Sequence, residues 1–371
     1  MKLEELDPNF RTVKTDDNGF VFHEIRSGKF QIEGFPFLEE NKGSFFRLPL
    51  SKKTLFTDDL NYRAAFTAGN CVRFTTNADQ IILRGETQFS DDYEQKATMT
   101  RRGMNGFDVY AGSGKYKRFY GCVVSEKDGE AEFDGVVCLD NPAHIEREVT
   151  IYLPVYNGVK SFSIGMKPEF CIKEPPKRML EKPILFYGSS ITHGESASRP
   201  GNSYVNMAAR KLDAAVINMG FSANAKGEKE MAEILSDVEM SLFVMDYDYN
   251  CESREHLAQT HYPFYEIVRQ KNPDLPVLML SRPTFKTEEA DKNVEIIRAS
   301  YDKARENGDS NVYFMDGHHF FPEAERDECT ADTVHPNDLG FYYMAEKIAE
   351  KIAQIFQMEM STGILWRLLY R

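Results

Sequence analysis

Apolar and polar residues follow two different periods in the two halves of the chain. Up to about Lys173, short runs alternate apolar and polar residues, and their apolar positions include Val72 and Phe74, then Val149, Ile151, Leu153 and Val155, then Phe162, Ile164 and Met166. A period of two in β-branched and aromatic residues is typical of strands. Turn-forming segments separate these runs, and no helical stretch is expected between them. This half is predicted to be an all-β sandwich, jelly-roll-like in architecture.

After residue 183 the pattern changes to short apolar runs that alternate with amphipathic segments. Five strand-like runs follow one another: ILFYG, AVINMG, SLFVMDY, VLMLS and NVYFMD. Helical patterns lie between them in SYVNMAARKL, GEKEMAEILSDV, YPFYEIVRQK and VEIIRASYDKAREN, and a last helix is predicted to start near Leu339. Alternating strands and helices predict a parallel sheet with helices on both faces, that is, a three-layer α/β/α domain.

The boundary between the two patterns lies in the segment KEPPKRMLEKP, residues 173–183. Its adjacent prolines cannot join a strand ladder, so the segment is predicted to be a linker. Residues 1–175 are assigned to the β-sandwich and residues 183–357 to the α/β domain, in a chain of 371 residues that is long enough for two domains. Residues 358–371 are assigned to a C-terminal tail, which carries Trp366.

Composition narrows the class of partner. The formal net charge is −13 with the acidic residues interspersed, which argues against nucleic acid and against an anionic membrane as partners. No apolar run is long enough to span a bilayer, and the N-terminal residues lack the pattern of a signal peptide, so we expect a cytoplasmic protein. Scattered cysteines in such a protein are expected to be free thiols. The oligomeric state stays open.

Polar residues lie at the carboxyl ends of four predicted strands. Ser190 follows the first strand, Gly220 ends the second, Asn250 follows the third, and Asp332 and His335 come after the fifth. The carboxyl ends of parallel strands meet at one edge of the sheet, where the active sites of such domains lie. We therefore expect these residues to converge.

The residue types at this edge fit acyl transfer. The Ser190 hydroxyl is a weak nucleophile that needs a base, and His335 can take its proton and return it to a leaving alcohol. Asp332, three residues before His335, is placed to hold the imidazole in one tautomer. The backbone N–H groups of Ser190 and Gly220 and the side-chain amide of Asn250 are candidates for an oxyanion hole.

Each of these residues has a simpler interpretation when it is taken alone. Ser190 could cap a helix, Gly220 and Asn250 could form turns, and Asp332 could be a helix cap or a solvated charge. Their combination at one edge of one sheet favours the catalytic interpretation.

No metal or cofactor is expected. Residues 246–250 superficially resemble the start of a calcium loop, but Cys251 and Leu257 occupy the positions where such a loop needs glycine and glutamate. A second set of ligand types matches no spacing known for zinc sites: His318, His319, Cys329 and His335.

The same blocks resemble those of the SGNH/GDSL hydrolases over about residues 183–356. GSSITHG resembles the GDSIT-G block of that family, with Ser189 in place of its aspartate. NMGFS and DYDYN resemble the second and third blocks, and DTVHPN resembles the D-x-x-H block. The resemblance implies a flavodoxin-like parallel sheet, with Ser190 as the nucleophile.

The first half contains a second motif of this kind. Gly106-Phe107-Asp108-Val109-Tyr110 resembles the G-x-D-L-Y motif of a β domain that precedes some of these hydrolases. The resemblance implies an enzyme similar to carbohydrate deacetylases and related esterases. Asp108 is interpreted as a turn or buried hydrogen-bond residue. His193 and Arg199, which follow Ser190, fit a pocket wall and an ordinary surface equally well.

We therefore expect a serine esterase that hydrolyses small acyl esters through a Ser-His-Asp triad and an acyl-enzyme. Acetyl is the expected acyl group, and a carbohydrate or another small molecule the expected carrier. Two alternatives remain. One is an acyltransferase with the same triad, and the other is a carbohydrate-binding protein with a vestigial hydrolase domain.

Overall fold

The structure, a computed structural model, describes residues 16, 18–89, 96–125, 129–285 and 288–358, with the backbone alone for 288–291. The tail predicted at 358–371, including Trp366, lies outside these residues apart from Met358. The six cysteines are all unpaired. Across the described part of the chain, no helix has both the length and the apolar character required to cross a membrane.

The first half forms two antiparallel sheets. One has the strand order β1-β9-β4-β7 and the other β2-β3-β8-β5-β6. The strands are β1 Val21–Glu24, β2 Gln31–Glu33, β3 Cys71–Thr76, β4 Gln80–Thr87, β5 Phe107–Gly112, β6 Arg118–Val123, β7 Glu132–Cys138, β8 Arg147–Tyr152 and β9 Val159–Met166.

One apolar core lies between these two sheets. It contains the alternating positions that predicted the strands, among them Val72 and Phe74 of β3, Ile151 of β8 and Phe162 of β9. Side chains of both sheets therefore interdigitate in a single layer, as in a sandwich. The prediction of an all-β sandwich is confirmed.

The expectation of no helical stretch in this half is wrong. Helix α1 spans Asp58–Ala64 and helix α2 spans Arg101–Asn105. Both are short and begin after a threonine whose hydroxyl accepts a backbone N–H of the first turn, Thr57 from Leu60 and Thr100 from Gly103. Helices of this length carry too few turns to show an apolar period in the sequence.

The second half contains one parallel sheet of five strands in the order β11-β10-β12-β13-β14. The strands are β10 Ile184–Gly188, β11 Val216–Gly220, β12 Leu242–Asp246, β13 Val277–Leu280 and β14 Val312–Met315. The helices are α3 Ser190–His193, α4 Tyr204–Leu212, α5 Lys229–Ser236, α6 Arg254–Lys271, α7 Glu288–Glu306 and α8 Asp338–Ile355. This strand order is that of flavodoxin-like sheets.

Apolar cores cover both faces of the parallel sheet. Helices α5, α6 and α7 pack on one face, through residues such as Leu235, Phe264 and Ile297. Helices α4 and α8 pack on the other face, through residues such as Val205 and Met344. The predicted three-layer α/β/α arrangement is confirmed.

Helix α6 starts earlier than predicted. The sequence pattern placed its start at Tyr262, next to Pro263, but the helix begins at Arg254 and contains Pro263 in its interior. Ser253 caps it by accepting the N–H of His256 at 3.1 Å. Proline removes one helical hydrogen bond, and burial of Leu257 and its neighbours on the sheet stabilises the turns before it.

A buried ion-pair network fastens the linker to both domains. Arg178 of the linker contacts Glu33 at 2.8 Å and Asp213 at 3.1 Å. Arg73 contacts Glu33 at 2.5 Å and Glu148 at 2.6 Å. Arg73 alternates with Val72 and Phe74, a pattern that predicts a polar, exposed position, but its side chain is buried against these carboxylates. The linker is therefore packed between the domains.

Candidate active site

Ser190 lies where strand β10 passes into helix α3. The N-cap residue Ser189 accepts the N–H of Ile191 at 3.2 Å through its hydroxyl, and its own N–H donates to the Asp246 carbonyl at 3.2 Å. Ser190 is the first residue of the helix, so the helix itself provides no acceptor for its N–H. The residue is 7% exposed. A buried serine with its amide at a helix N-terminus is well placed to hold a small anionic group.

Asp246 fixes the orientation of this turn from the neighbouring strand. Its Oδ2 accepts hydrogen bonds from Thr192 Oγ1 and from Tyr204 OH, both at 2.8 Å. Burial raises the pKa of Asp246 to about 7, and these two hydrogen bonds oppose that rise. The carboxyl group therefore joins β12, α3 and α4 from inside the domain, and is not part of an open calcium loop.

Three of the residues singled out in the sequence form a connected chain of contacts. Ser190 Oγ lies 2.9 Å from Nε2 of His335, and Nδ1 of His335 lies 2.7 Å from Oδ2 of Asp332. The imidazole thus stands between a hydroxyl and a carboxylate, at hydrogen-bond distance from both. A proton can pass from the hydroxyl to the ring while the carboxylate stabilises the resulting cation.

Asp332 and His335 belong to one tight loop. Asp332 Oδ1 accepts the backbone N–H groups of Val334 at 2.9 Å and of His335 at 2.7 Å. Burial alone would raise the pKa of Asp332, but the hydrogen bonds from the backbone and ring of His335 outweigh it and lower that pKa. The carboxylate is therefore kept ionised next to the imidazole.

Gly220 reaches the same edge of the sheet, but its N–H is engaged within the chain. It donates to Asn218 Oδ1 at 2.8 Å. A Cβ atom at this position would lie 2.2 Å from the backbone nitrogen of His193, so glycine allows β11 to pack against α3. The oxyanion role of Gly220 stays a prediction, and it requires the bond to Asn218 to open.

Asn250 ends a short turn of 3-10 helix, Asp248–Asn250, directly after β12. β12 is the neighbour of β10, so the structure brings Asn250 to the edge that carries Ser190. Its backbone N–H donates to the carbonyl of Tyr247 at 3.3 Å. Its side-chain Oδ1 is buried and finds no hydrogen-bond partner in the part of the chain that the structure describes. The oxyanion role of its side-chain amide stays a prediction.

Glu195 is a residue of this site that the sequence patterns did not single out. Gly194 has a φ of 112°, which ends α3 and turns the chain back, so that both Gly194 and Glu195 donate their N–H groups to the Ser190 carbonyl at 2.9 Å. Glu195 Oε2 then lies 3.7 Å from Nε2 of His335. A carboxylate five residues after the nucleophile was the available signal.

Three other side chains hold the Glu195 carboxylate. Tyr156 OH donates to its Oε2 at 2.7 Å, Ser222 Oγ donates at 3.2 Å, and Lys96 Nζ lies 3.2 Å from both oxygens. Burial would raise the pKa of Glu195, but the nearby charges of His335 and Lys96 lower it. The site thus contains a second fixed carboxylate.

The G-x-D-L-Y-like motif of the sandwich reaches the loop that follows α3. Asp108 Oδ2 accepts from Arg199 Nη1 and from the Gly201 N–H, both at 2.8 Å, and Tyr110 OH lies 2.5 Å from Arg199 Nη1. Asp108 is fully buried, and burial raises its pKa although Arg199 opposes the rise. The buried hydrogen-bond interpretation of Asp108 is confirmed.

The same loop is tied to the start of helix α8, close to His335. Asp338 Oδ1 accepts the N–H of Ser198 at 2.8 Å, and its Oδ2 accepts from Asn202 Nδ2 at 2.7 Å. A series of contacts therefore runs from the sandwich, through residues 198–202, to the segment that carries His335.

His193 is a packing residue. It is fully buried, stacks on Tyr156 with 4.3 Å between ring centroids, and has Nε2 2.8 Å from the Val155 carbonyl. Burial lowers its pKa well below the ordinary value, so the ring is neutral. In the described part of the chain, no group of three or more His, Cys, Asp or Glu residues is arranged to hold a metal ion.

Comparisons with known families agree with the two halves of the chain. Residues 181–353 match the GDSL-like lipase/acylhydrolase family. Residues 20–172 match the GxDLY family, described as the N-terminus of SGNH-hydrolase-type esterases. The comparison with curated proteins gives no match.

Solved structures share the whole two-domain architecture. A putative GDSL-like lipase from Bacteroides ovatus is 28% identical, with a TM-score of 0.81 over 92% of this chain and 100% of that one. The salicylyl-acyltransferase SsfX3 of a tetracycline biosynthetic pathway is 18% identical, with a TM-score of 0.74 over 92% and 99%. An acetyl xylan esterase from Butyrivibrio proteoclasticus is 13% identical, with a TM-score of 0.55 over 91% and 99%.

Proposed function

Because residues 181–353 belong to the GDSL-like lipase/acylhydrolase family and residues 20–172 to the GxDLY family of esterase N-termini, we propose that Ser190, His335 and Asp332 are the catalytic triad of an ester hydrolase. The observation that carries the proposal is the pair of short contacts on one imidazole, 2.9 Å to Ser190 Oγ and 2.7 Å to Asp332 Oδ2. The hydroxyl and the carboxylate thus stand on the two nitrogens that general-base catalysis uses.

The reaction proceeds through an acyl-enzyme. Ser190 Oγ attacks the ester carbonyl while His335 Nε2 takes its proton, and Asp332 stabilises the imidazolium. The tetrahedral intermediate collapses when Nε2 gives this proton to the oxygen of the leaving alcohol. Water then enters at the same place, loses a proton to Nε2 and attacks the acyl group, which restores Ser190 and releases the acid.

Charge that develops on the carbonyl oxygen needs hydrogen-bond donors. The proposed donors are the Ser190 N–H at the start of α3 and the side-chain amide of Asn250, with the Gly220 N–H as a third once it leaves Asn218. Each donor of this kind typically lowers the barrier by about 3 kcal/mol.

The proposed substrate is a small acyl ester, with acetyl as the acyl group, on a carbohydrate or a related polyol. The Glu195 carboxylate lies 3.7 Å from His335 Nε2 and binds the Ser222 hydroxyl, and polar groups at this place suit the alcohol part of a carbohydrate ester. The likeness to an acetyl xylan esterase supports the same substrate class.

A second candidate is acyl transfer to an alcohol other than water. It uses the same acyl-enzyme, and the likeness to the acyltransferase SsfX3 favours it. The test is product analysis with p-nitrophenyl acetate in the presence of glycerol or glucose. Acetate as the main product indicates a hydrolase, and acetylated polyol as the main product indicates a transferase. The contacts that join Ser190, His335 and Asp332 disfavour the vestigial domain considered as a further alternative.

Substitution of the nucleophile tests the proposal. Ser190→Ala removes the attacking oxygen, and we expect kcat for p-nitrophenyl acetate to fall by about a thousandfold or more. The matched control is Ser161→Ala, an exposed serine of strand β9, which should keep full activity. Both variants should keep the wild-type circular dichroism spectrum. Retained turnover in a folded Ser190→Ala protein would overturn the proposal.

A further inference from the structure

The imidazole of His335 has a carboxylate on each side. Asp332 faces Nδ1 at 2.7 Å, and Glu195 Oε2 lies 3.7 Å from Nε2, the nitrogen that also faces Ser190. Asp332 has the orienting role in the proposed mechanism, whereas Glu195 has no step assigned to it. The role that we assign to Glu195 beside Nε2 rests on the proposed function.

Nε2 marks the side of the site where the leaving group sits. In the proposed mechanism it gives its proton to the oxygen of the leaving alcohol, so that oxygen has to approach Nε2 to about 3 Å. Glu195 Oε2 is within 3.7 Å of the same nitrogen. The carboxylate is therefore next to the alcohol part of the ester, and the oxyanion donors near Ser190 and Asn250 are next to its carbonyl.

The Glu195 carboxylate is fixed before substrate arrives. Tyr156, Ser222 and Lys96 bind it, and the residue is 7% exposed. Each carboxylate oxygen offers two lone pairs, and Oε1 accepts from Lys96 Nζ at 3.2 Å among the described residues. A preorganised ionised acceptor of this kind binds a hydroxyl donor more strongly than a neutral acceptor does.

We propose that Glu195 is a specificity residue that accepts a hydrogen bond from a free hydroxyl adjacent to the ester oxygen. The two oxygens of a gauche vicinal diol lie within hydrogen-bond distance of each other, so one can meet Nε2 while the other meets Glu195. The preferred substrates are then monoesters of vicinal diols, as found in partly acylated sugars and glycerol. Esters of simple alcohols leave Glu195 without this donor.

The β-sandwich takes part in this specificity. Tyr156 lies in the loop between β8 and β9, and Lys96 lies in the loop between β4 and α2. Both bind Glu195, whose own backbone belongs to the hydrolase domain. The first domain thus positions a group that recognises the alcohol of the substrate.

A matched pair of acetates tests the proposal with the full-length protein. The esters 2-hydroxyethyl acetate and propyl acetate have the same acyl group and nearly the same size, and they differ in one terminal hydroxyl against one methyl. We expect wild-type kcat/KM to be higher for the hydroxy ester by about tenfold or more, as for a charged hydrogen bond to substrate. Glu195→Gln should lower this ratio several-fold, and Glu195→Ala should bring it close to one.

The ratio of kcat/KM for the two esters distinguishes recognition of the free hydroxyl from a general effect of the Glu195 charge. A carboxylate that only stabilised the imidazolium, or only supported the fold, would change both esters by the same factor. Glu86→Gln is the matched control, because Glu86 of strand β4 pairs with Lys160 of strand β9, and this variant should keep the wild-type ratio.

A wild-type ratio near one overturns the proposal without any variant. An unchanged ratio in both Glu195 variants overturns it as well. Either result leaves the proposed function intact as long as turnover of p-nitrophenyl acetate still requires Ser190, whereas turnover without Ser190 contradicts the proposed function itself.

Discussion

The two segments that meet at the proposed catalytic site are held in opposite ways. The nucleophile segment, residues 189–203, is buried throughout from Ser189 to Ala197. Its partners come from distant parts of the chain, including Asp108, Tyr156 and Asp246. The base segment, residues 330–337, is exposed from Ala331 to Val334, and its internal hydrogen bonds join residues no more than seven positions apart.

This difference shows how one site combines rigidity with access. The buried nucleophile segment gains its geometry from tertiary packing, which fixes Ser190 and its N–H before substrate binds. The base segment gains its geometry from local hydrogen bonds, which hold Asp332 and His335 together even where solvent reaches them. Apart from the charge of Asp332, whose loop hydrogen bonds also contribute to stability, substitutions in the base segment should therefore act on chemistry. Substitutions around the nucleophile segment should act on both stability and chemistry.

The largest effect is expected at the point where both segments meet. His335→Gln removes the group that takes and returns the proton, and we expect kcat/KM to fall by about 10²-fold to 10⁴-fold. Because His335 lies in the base segment, the melting temperature should stay close to that of the wild type. Steady-state kinetics and thermal unfolding on the same samples check both statements. A stable His335→Gln protein with wild-type activity would show that another base serves Ser190.

The next effect sharpens the role of the carboxylate in the base segment. Asp332→Asn keeps the size of the side chain but removes the charge that stabilises the imidazolium. We expect kcat/KM to fall by about a hundredfold, less than for a fully buried aspartate, since solvent screens this exposed pair. Asp327→Asn, on an exposed carboxylate before the segment, is the control and should stay within the error of the wild type.

The pKa of Asp332 makes the stability difference between wild type and Asp332→Asn depend on pH. Burial would raise this pKa, but the hydrogen bonds from His335 lower it below the ordinary 3.8. A lowered pKa stabilises the folded state above the unfolded pKa, and this contribution disappears as the pH falls through the folded pKa. The difference in unfolding free energy between wild type and Asp332→Asn should be present at neutral pH and vanish in acid. A difference in unfolding free energy that does not change with pH would contradict this expectation.

The approach of Ser190 to His335 could be predicted from the order of strands and helices in the sequence, whereas the contacts around Glu195 could not. The D-x-x-H spacing of Asp332 and His335 and the alternation in β3 and β9 are local patterns, and the structure has these residues in the predicted elements. The position of Glu195, by contrast, depends on contacts with Lys96 and Tyr156, which are far away in the chain.

The corrections to the fold have the same origin. The early start of α6 depends on packing of residues such as Leu257 against the sheet, which outweighs the effect of Pro263. Burial of Arg73 depends on Glu33 and on Glu148, neither of which is its neighbour in sequence. A residue pattern carries the period of an element but not the identity of its distant partners.

A smaller effect tests the dependence of the nucleophile segment on the sandwich. Asp108→Ala leaves Arg199 without its buried carboxylate partner, and we expect a loss of about 2 kcal/mol in unfolding free energy, since Arg199 is partly exposed. A displaced segment should also lower kcat/KM by about tenfold. Asp108→Asn retains an acceptor for the Gly201 N–H and should lose less of both. Wild-type activity in Asp108→Ala would show that Ser190 does not depend on the first domain.

The smallest effect concerns a single hydroxyl between the domains. Tyr156→Phe keeps the ring that stacks on His193 but removes the hydrogen bond to Glu195. Burial raises the pKa of Tyr156 well above the ordinary value, so the hydroxyl is a donor at every working pH. We expect a loss of about 1.5 kcal/mol in stability, as for a hydrogen bond to a charged group. Chemical denaturation measures this loss. An unchanged unfolding midpoint would show that the Tyr156 hydroxyl does not stabilise the contact with Glu195.

Covalent labelling of the nucleophile tests the central claim most directly. The native protein is treated with a fluorophosphonate, which reacts with an activated serine, and the modified peptide is located by mass spectrometry. We predict one adduct, on Ser190, together with complete loss of esterase activity and with no labelling of His335→Gln on the same time scale. An adduct on another serine, or full inactivation without modification of Ser190, would contradict the account.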